Sequence, residues 1–335
     1  MKNPAVKTAR HLNVGDVFLY SLADSRGRRI KDLLKFLIFA VGVAILCSAG
    51  SAWAVEKQKK GDEILRDTYS GISAKLKQNS FGFPLYVESL NQDGRFDVDV
   101  YGIVDHPFSS VLRALESPSN WCDIACLHPN IKACTHRQLS DTWLLTFYSG
   151  RKTYQPPEDS RQYTYRYRTI EERQGFVDIV LSSDEGPFGT KDHRMRVEAA
   201  QLNEGRTLVH VSYSCRHGFS LRVAEEIYFS TLGRGKVGFT VSGTDSDGNP
   251  VYVGGPRGAI ERNAVRYYFA IQSFMDTLRY PEEKRFHMMI SEWYDLTDRY
   301  RKQLYEMDKK DYLTFKTAEH RNQVMLQQRL SMNVQ

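Results

Sequence analysis

Beyond residue 54 the sequence lacks a charge excess. The whole chain carries 46 lysines and arginines against 40 acidic residues. Residues 1–54 hold eight of the former and three of the latter, which leaves 38 against 37. Nucleic-acid recognition needs a basic patch on the folded domain, and this balance removes the electrostatic ground for it. The sequence contains no G-x-S-x-G and no H-E-x-x-H, so a nucleophile elbow and a zincin helix are both missing. It has no internal repeat, which excludes solenoids and propellers, and no low-complexity segment. Cysteine is sparse: five in 335 residues, four of them after residue 54.

What is present begins with the N-terminus. Arg26, Arg28, Arg29 and Lys31 precede the apolar run Leu33 to Leu46, and small residues lead to Ala52-Trp53-Ala54. A basic end, an apolar core and an A-x-A site are the three parts of a secretory signal. The expectation is an exported chain with residues 1–54 cleaved as a signal peptide. The alternative is an uncleaved anchor, since the apolar stretch, extended through Gly50, is about 18 residues long. Leu46 stands before Cys47 where a lipoprotein signal wants a small residue. Residues 55–84 read as a linker and a short helix, with Leu65, Tyr69, Ile72 and Leu76 on one face.

Two strands, LYVESL and RFDVDVYGIV, flank the turn Asn91-Gln92-Asp93-Gly94. Two short helices follow, the first capped by Asp105 or Ser109 and ended by Pro118, the second capped by Asn120. A run of strands then extends to Arg216. Within RQYTYRYRTIEE, Tyr163, Tyr165 and Tyr167 share one face. Residues 221–232 read as a helix, and KVGFTVSGT with PVYVGG as a hairpin. A strong helix runs from Ala259 to Leu278, with Ile260, Ala264, Tyr267, Ile271, Phe274 and Leu278 on its apolar face. After Pro281 one long amphipathic helix is expected to about Leu330.

Four groups could carry chemistry. Gly233-x-Gly235-x-x-Gly238 has a helix before it and a strand after it, the reverse of a phosphate-binding turn. Asp245-x-Asp247-Gly-Asn249 lacks the sixth-place glycine and twelfth-place glutamate of a calcium loop, so it reads as a hairpin turn. Asp105 and His106 are adjacent on a strand end and point to opposite faces, so they form no dyad. Cys122, Cys126, His128, Cys134 and His136 are dense enough to suggest zinc, but in an oxidising compartment thiols pair first. Cys122–Cys134 is the favoured disulfide and Cys126–Cys134 the next, with Cys215 pairing with the leftover thiol or staying buried. No metal, cofactor or catalytic residue is assigned.

The order of elements resembles the helix-grip fold of the START and Bet v 1-like superfamily. The stretches VDHPF (104–108), WCDIACLHPN (121–130), GFTVSG (238–243) and YVGGPRGAIERN (252–263) resemble a family of exported proteobacterial proteins with a START-like assignment. The resemblance implies an α+β fold in which a curved antiparallel β-sheet wraps a long C-terminal helix, with an extra C-terminal amphipathic helix. It places the START-like domain at 85–280 and a helical extension at 281–335. A sheet that closes on one helix leaves space that side chains fill or a ligand occupies. Trp121, Trp143, Phe147, Tyr163, Tyr165, Tyr167, Met195, Tyr213, Tyr267 and Phe274 are the residues available to line it. Arg257, Arg262 and Arg266 are the candidates for an anionic head-group. The expected partner is a lipid or other hydrophobic small molecule in the periplasm, or at the inner membrane facing it. Residues 282–330 are a second candidate surface, for a protein partner.

Overall fold

A computed structural model describes residues 61–79, 81–216 and 235–332. The secretory signal at 1–54 and the helix at 221–232 lie outside the described residues. Helix α1 (Gly61–Lys77) leads into strands β1 (Leu85–Gln92) and β2 (Arg95–Val104). Helices α2 (Phe108–Leu115) and α3 (Pro118–Cys126) follow. Then come β3 (Ile131–Leu139), β4 (Thr142–Ser149), β5 (Arg161–Arg173), β6 (Phe176–Glu185), β7 (Lys191–Gln201) and β8 (Thr207–Arg216). A separate hairpin, β9 (Val241–Thr244) and β10 (Pro250–Tyr252), precedes the long helix α4 (Gly255–Thr277). Helices α5 (Glu282–Asp298), α6 (Arg301–Leu304) and α7 (Lys309–Met332) complete the chain.

The eight long strands form one antiparallel sheet in the order β1-β2-β8-β7-β6-β5-β4-β3. Strands β3 to β8 each pair with their chain neighbour, and β2 closes onto β8. The β1–β2 turn is a two-residue hairpin. Asp93 (φ 52°) and Gly94 (φ 77°) both take left-handed backbone, as a tight primed turn requires. The β9–β10 pair stands apart as its own two-stranded sheet. The eight-stranded sheet closes on α4 in the helix-grip arrangement, and the α+β class follows from that connectivity.

Helix α1 packs on the outer face of the sheet. Leu65, Ile72 and Leu76 are buried there against Tyr101, Phe176, Ala200 and Leu208, each burial contributing about 1.5–3 kcal/mol. The same outer face carries a buried histidine. His210 Nδ1 lies 2.8 Å from Glu198 and Nε2 lies 2.8 Å from Asp99, while the ring stacks on Tyr101 at 4.3 Å. Burial alone would lower its pKa, but the hydrogen bonds to Asp99 and Glu198 outweigh it and raise the group above 6.5. The folded state therefore holds this proton more tightly than the unfolded chain. That stability is complete below pH 6.5 and is lost as pH rises through the raised value. Urea midpoints should fall across that window in the native chain. The fall should flatten in His210→Gln; an unchanged pH profile in that variant would refute the assignment.

Four local expectations are corrected. Helix α2 starts on Pro107 with no side-chain cap, so neither Asp105 nor Ser109 closes it. Pro118 does not end a helix but opens α3 at its first position, where its missing N–H costs nothing. Asn120 donates from Nδ2 to Ala114 O at 2.9 Å and so finishes α2 rather than starting α3. The single helix expected after Pro281 is three. A straight helix of that length would run roughly 70 Å, far past the sheet. Tyr300 breaks it: its hydroxyl donates to Phe81 O and its ring stacks on Phe269 at 5.6 Å. The chain then turns so that α7 lies along β3.

Helix α7 covers an edge strand. Gln323 Oε1 accepts the Cys134 N–H at 2.8 Å. Gln327 Oε1 accepts the His136 N–H at 2.9 Å, and its Nε2 donates to His136 O at 3.0 Å. Four helical residues rise about 6 Å and two strand residues about 6.6 Å, so glutamines at i and i+4 match alternate residues of β3. The exposed backbone of an edge strand invites pairing with another chain; here two side chains occupy it.

Candidate functional site

The site is the interior between the sheet and α4. Strand register lays out its floor. Trp143 pairs with Tyr167, Tyr167 with Leu181, Leu181 with Met195, Met195 with Tyr213, and Tyr213 with Val98. These residues form one row across six strands, on the face that α4 covers. Phe147 stacks on Tyr165 at 4.9 Å in the adjoining row. The alternation along β5 puts all three of its tyrosines on this face, Tyr165 and Tyr167 buried and Tyr163 half-buried.

The candidate lining residues divide by role. Trp121 donates from Nε1 to Leu115 O at 2.6 Å, and the Tyr167 hydroxyl donates to the same carbonyl at 3.0 Å. Both therefore spend their polar atoms on the C-terminus of α2. Phe147, Tyr165 and Met195 are buried in the main core. Trp143, Tyr163, Tyr213, Tyr267 and Phe274 pack against that core and keep accessible surface. Tyr213 and Tyr267 combine two properties. Each is deep enough that burial raises its phenol pKa, and each is still solvent-accessible. Both pack against the core between the sheet and α4.

A buried histidine that sequence reasoning missed stands beside Tyr213. His193 Nδ1 lies 2.6 Å from the Tyr213 hydroxyl and Nε2 lies 2.6 Å from Thr190 Oγ1. Burial lowers its pKa to about 4, so it is neutral near pH 7. Its place requires Gly186, where a Cβ would come 2.0 Å from His193 Nε2. The only sequence signal was a histidine at an inward position of β7; its partners are not visible in one dimension.

The three arginine candidates do not gather at one mouth. Arg257 is half-buried at the start of α4, donating from Nε to Ser89 Oγ at 2.7 Å and from Nη2 to Ser89 O at 2.9 Å. Arg262 is buried and donates to Val237 O at 3.1 Å. Arg266 is buried and pairs with Glu306 at 2.6 Å. Lys152 at 2.6 Å and Lys236 at 3.5 Å share the same carboxylate. Burial would raise Glu306, but Arg266 and Lys152 outweigh it and lower its pKa. Helix α5 covers this side of α4, with Trp293 Nε1 donating to Arg266 O at 3.1 Å.

The cysteine cluster resolves as a disulfide, Cys122–Cys134, tying α3 to β3. Cys126 is a buried thiol bonded to Gln323 Oε1 at 2.5 Å, and burial pushes it up to about 12. Cys215 is buried outside the disulfide. His128 stacks on Tyr267 at 5.5 Å and bonds Asn263 at 3.2 Å. Among the described residues no group of three or more His, Cys, Asp or Glu is placed to hold a metal ion. At the 245–249 turn Asp245 accepts the N–H groups of Asp247 and Asn249 at 3.0 and 2.8 Å, the bonds of a hairpin turn. Gly233 of the glycine motif lies outside the described residues. His106 pairs with Asp276 at 2.8 Å, a partner 170 residues away. A surface groove of about 590 Å³ runs between α3, β3 and α7, and another of about 480 Å³ lies beside α2. Neither is lined by Tyr213 or Tyr267.

No family model matches the sequence, and no curated protein matches it. Solved structures do. The chain is similar to human StAR-related lipid transfer protein 5, at 11% identity and a TM-score of 0.34, covering 64% of this chain and 97% of that one. It is similar to a STAR-related lipid transfer protein fragment from Xanthomonas axonopodis, at 13% identity and a TM-score of 0.30, covering 44% and 89%. It is also similar to the ZhuI aromatase/cyclase from a Streptomyces species, at 12% identity and a TM-score of 0.29, covering 42% and 86%.

Proposed function

We propose that this chain is a START-like module that binds or transfers a lipid or other apolar molecule in the cell envelope. The aromatic and apolar row that crosses the sheet on the face α4 covers, Trp143, Tyr167, Leu181, Met195, Tyr213 and Val98, carries the reading. Moving an apolar molecule through water needs an enclosed apolar space, and this interior is lined by aromatic rings and Met195. The basic cluster, apolar run and A-x-A site before residue 55 support export to the periplasm, or anchorage at the inner membrane facing it. The Cys122–Cys134 disulfide suits an oxidising compartment. Arg257, half-buried at the start of α4, is the head-group candidate that keeps accessible surface.

The test is native mass spectrometry of the full chain recovered from the envelope fraction, followed by solvent extraction. A bound apolar small molecule, present in the folded protein and released on unfolding, is the expected result. An empty protein that also takes up no added long-chain alcohol or ketone would end the proposal. One observation favours a second reading, a protein-binding role for the C-terminal helix: Val324, Met325 and Met332 stand exposed on α7. Replacing Val324 and Met325 with aspartate should then abolish a co-purifying partner without changing ligand uptake.

A further inference from the structure

The groove of about 590 Å³ between α3, β3 and α7 holds a carboxylate with only one oxygen in use. Gln323 sets the orientation of that carboxylate. Its Oε1 accepts the Cys134 N–H at 2.8 Å and the Cys126 thiol at 2.5 Å. A backbone N–H only donates, so the amide oxygen is the end that meets β3 and the amide nitrogen is left for α3. That nitrogen donates to Asp123 Oδ1 at 3.1 Å. Among the described residues Asp123 Oδ2 has no hydrogen-bond partner, and Asp123 lines the groove. Among the same residues no lysine or arginine lines it. Burial without a cation raises the Asp123 carboxyl to about 6, so near neutral pH it is still ionised.

Packing alone does not call for this charge. An asparagine at position 123 would accept the same bond from Gln323 and bury no charge. The other walls fit a cation too. His136 and His320 line the groove. Burial lowers both imidazoles, so at neutral pH each is uncharged and has a lone pair to offer. Packing holds both rings: His320 stacks on Phe286 at 3.7 Å, and His136 lies tilted against Trp143 at 5.9 Å. Val324 and Met332 line the same groove and stand exposed, which gives it an apolar rim. A hard metal ion takes several oxygen ligands at once. Among the described residues no group of three or more His, Cys, Asp or Glu is placed to supply them.

We infer that this groove binds an organic ammonium, an aliphatic amine whose charged end meets Asp123 and whose hydrocarbon chain lies along Val324 and Met332, and that it rejects carboxylates. An ammonium has three donors and no lone pair, the complement of an open carboxylate oxygen and two imidazole acceptors. Its bond to Asp123 Oδ2 is charge-assisted. A carboxylate would set its charge against Asp123 with no cation beside it. The groove is a different place from the interior between the sheet and α4, so this inference does not depend on the apolar-binding reading.

The experiment titrates the full chain with n-hexylammonium, hexanoate and 1-hexanol at pH 8, by calorimetry and by NMR of the histidine rings. n-Hexylammonium should bind at least about ten-fold more tightly than hexanoate and should shift the ring signals of His136 and His320. Asp123→Asn keeps the bond to Gln323 and should weaken n-hexylammonium by about ten-fold or more, with 1-hexanol unchanged. Val324→Trp sits at an exposed position, leaves Asp123 in place and should also weaken n-hexylammonium by obstructing the groove; it decides the matter if Asp123→Asn fails to fold. At pH 5 the affinity should fall by roughly ten-fold, as Asp123 takes up a proton. Charging of His136 and His320 at still lower pH acts in the same direction. Hexanoate binding as tightly as n-hexylammonium, undiminished n-hexylammonium binding in folded Asp123→Asn, or no saturable uptake of n-hexylammonium would each overturn the inference.

Discussion

Glu319→Ala should cost about 3–5 kcal/mol of stability, read as a lowered urea midpoint. Glu319 stands between two buried ammonium groups, Lys132 Nζ at 2.7 Å and Lys316 Nζ at 2.6 Å. The three side chains are 0%, 3% and 3% exposed. Each lysine spends all three donors. Lys132 bonds Pro129 O, Thr153 O and Glu319. Lys316 bonds His128 O, Ile131 O and Glu319. Burial and the facing Lys316 together push Lys132 down to about 8, so the carboxylate is what keeps both cations tolerable. Removing it leaves two like charges uncompensated in the core. Replacing all three with Met, Met and Leu should be nearly neutral, because no charge is then left buried. A loss below about 1 kcal/mol in Glu319→Ala would show that the cluster is wetter than its geometry indicates.

The second large effect is expected at Gly102. A Cβ there would lie 2.0 Å from the Tyr268 hydroxyl oxygen and 2.2 Å from its ring carbon Cζ. Tyr268 is 1% exposed and cannot swing into solvent. Gly102→Ala should therefore destabilise by about 3 kcal/mol, at the upper end of overpacking. The contrasting variant is Tyr268→Phe. Its hydroxyl is buried with no partner, so losing it should be neutral or stabilising. Gly102→Ala combined with Tyr268→Leu should recover part of the loss, because the steric term is shared. Additive effects of the two substitutions, measured in a double-mutant cycle, would refute the contact.

These sites show what a single sequence discloses. The period-two pattern of β5 is local, so the shared face of Tyr163, Tyr165 and Tyr167 was legible. So were the Asp93-Gly94 turn and the Cys122–Cys134 pairing, which spans 12 residues. The aromatic row across the sheet required strand register, which only the fold supplies. Asp105 met the composition rule for a helix cap, but the chain used proline geometry instead. Arg266 was a head-group candidate because its partner Glu306 sits beyond a helix break that no glycine or proline marks. That break comes from tertiary packing of Tyr300 against Phe269 and Phe81. The His193 network was hidden for the same reason: Tyr213 and Gly186 become its neighbours only when β6, β7 and β8 align.

The strand order also sets a sequence of events in time. Strands β3 to β8 zip together through short connections, each strand finding the one just before it. The β2–β8 seam differs. It joins Val104 to Thr207 and Arg95 to Arg216, so it must close a loop of more than a hundred residues before any of its bonds form. Loop closure of that length is the step that slows folding. Until it closes, Val98 has not met Tyr213, and the outer-face triad of Asp99, Glu198 and His210 is incomplete. On this topology the six-strand meander is expected to form as the platform, with the N-terminal hairpin arriving last to complete the sheet.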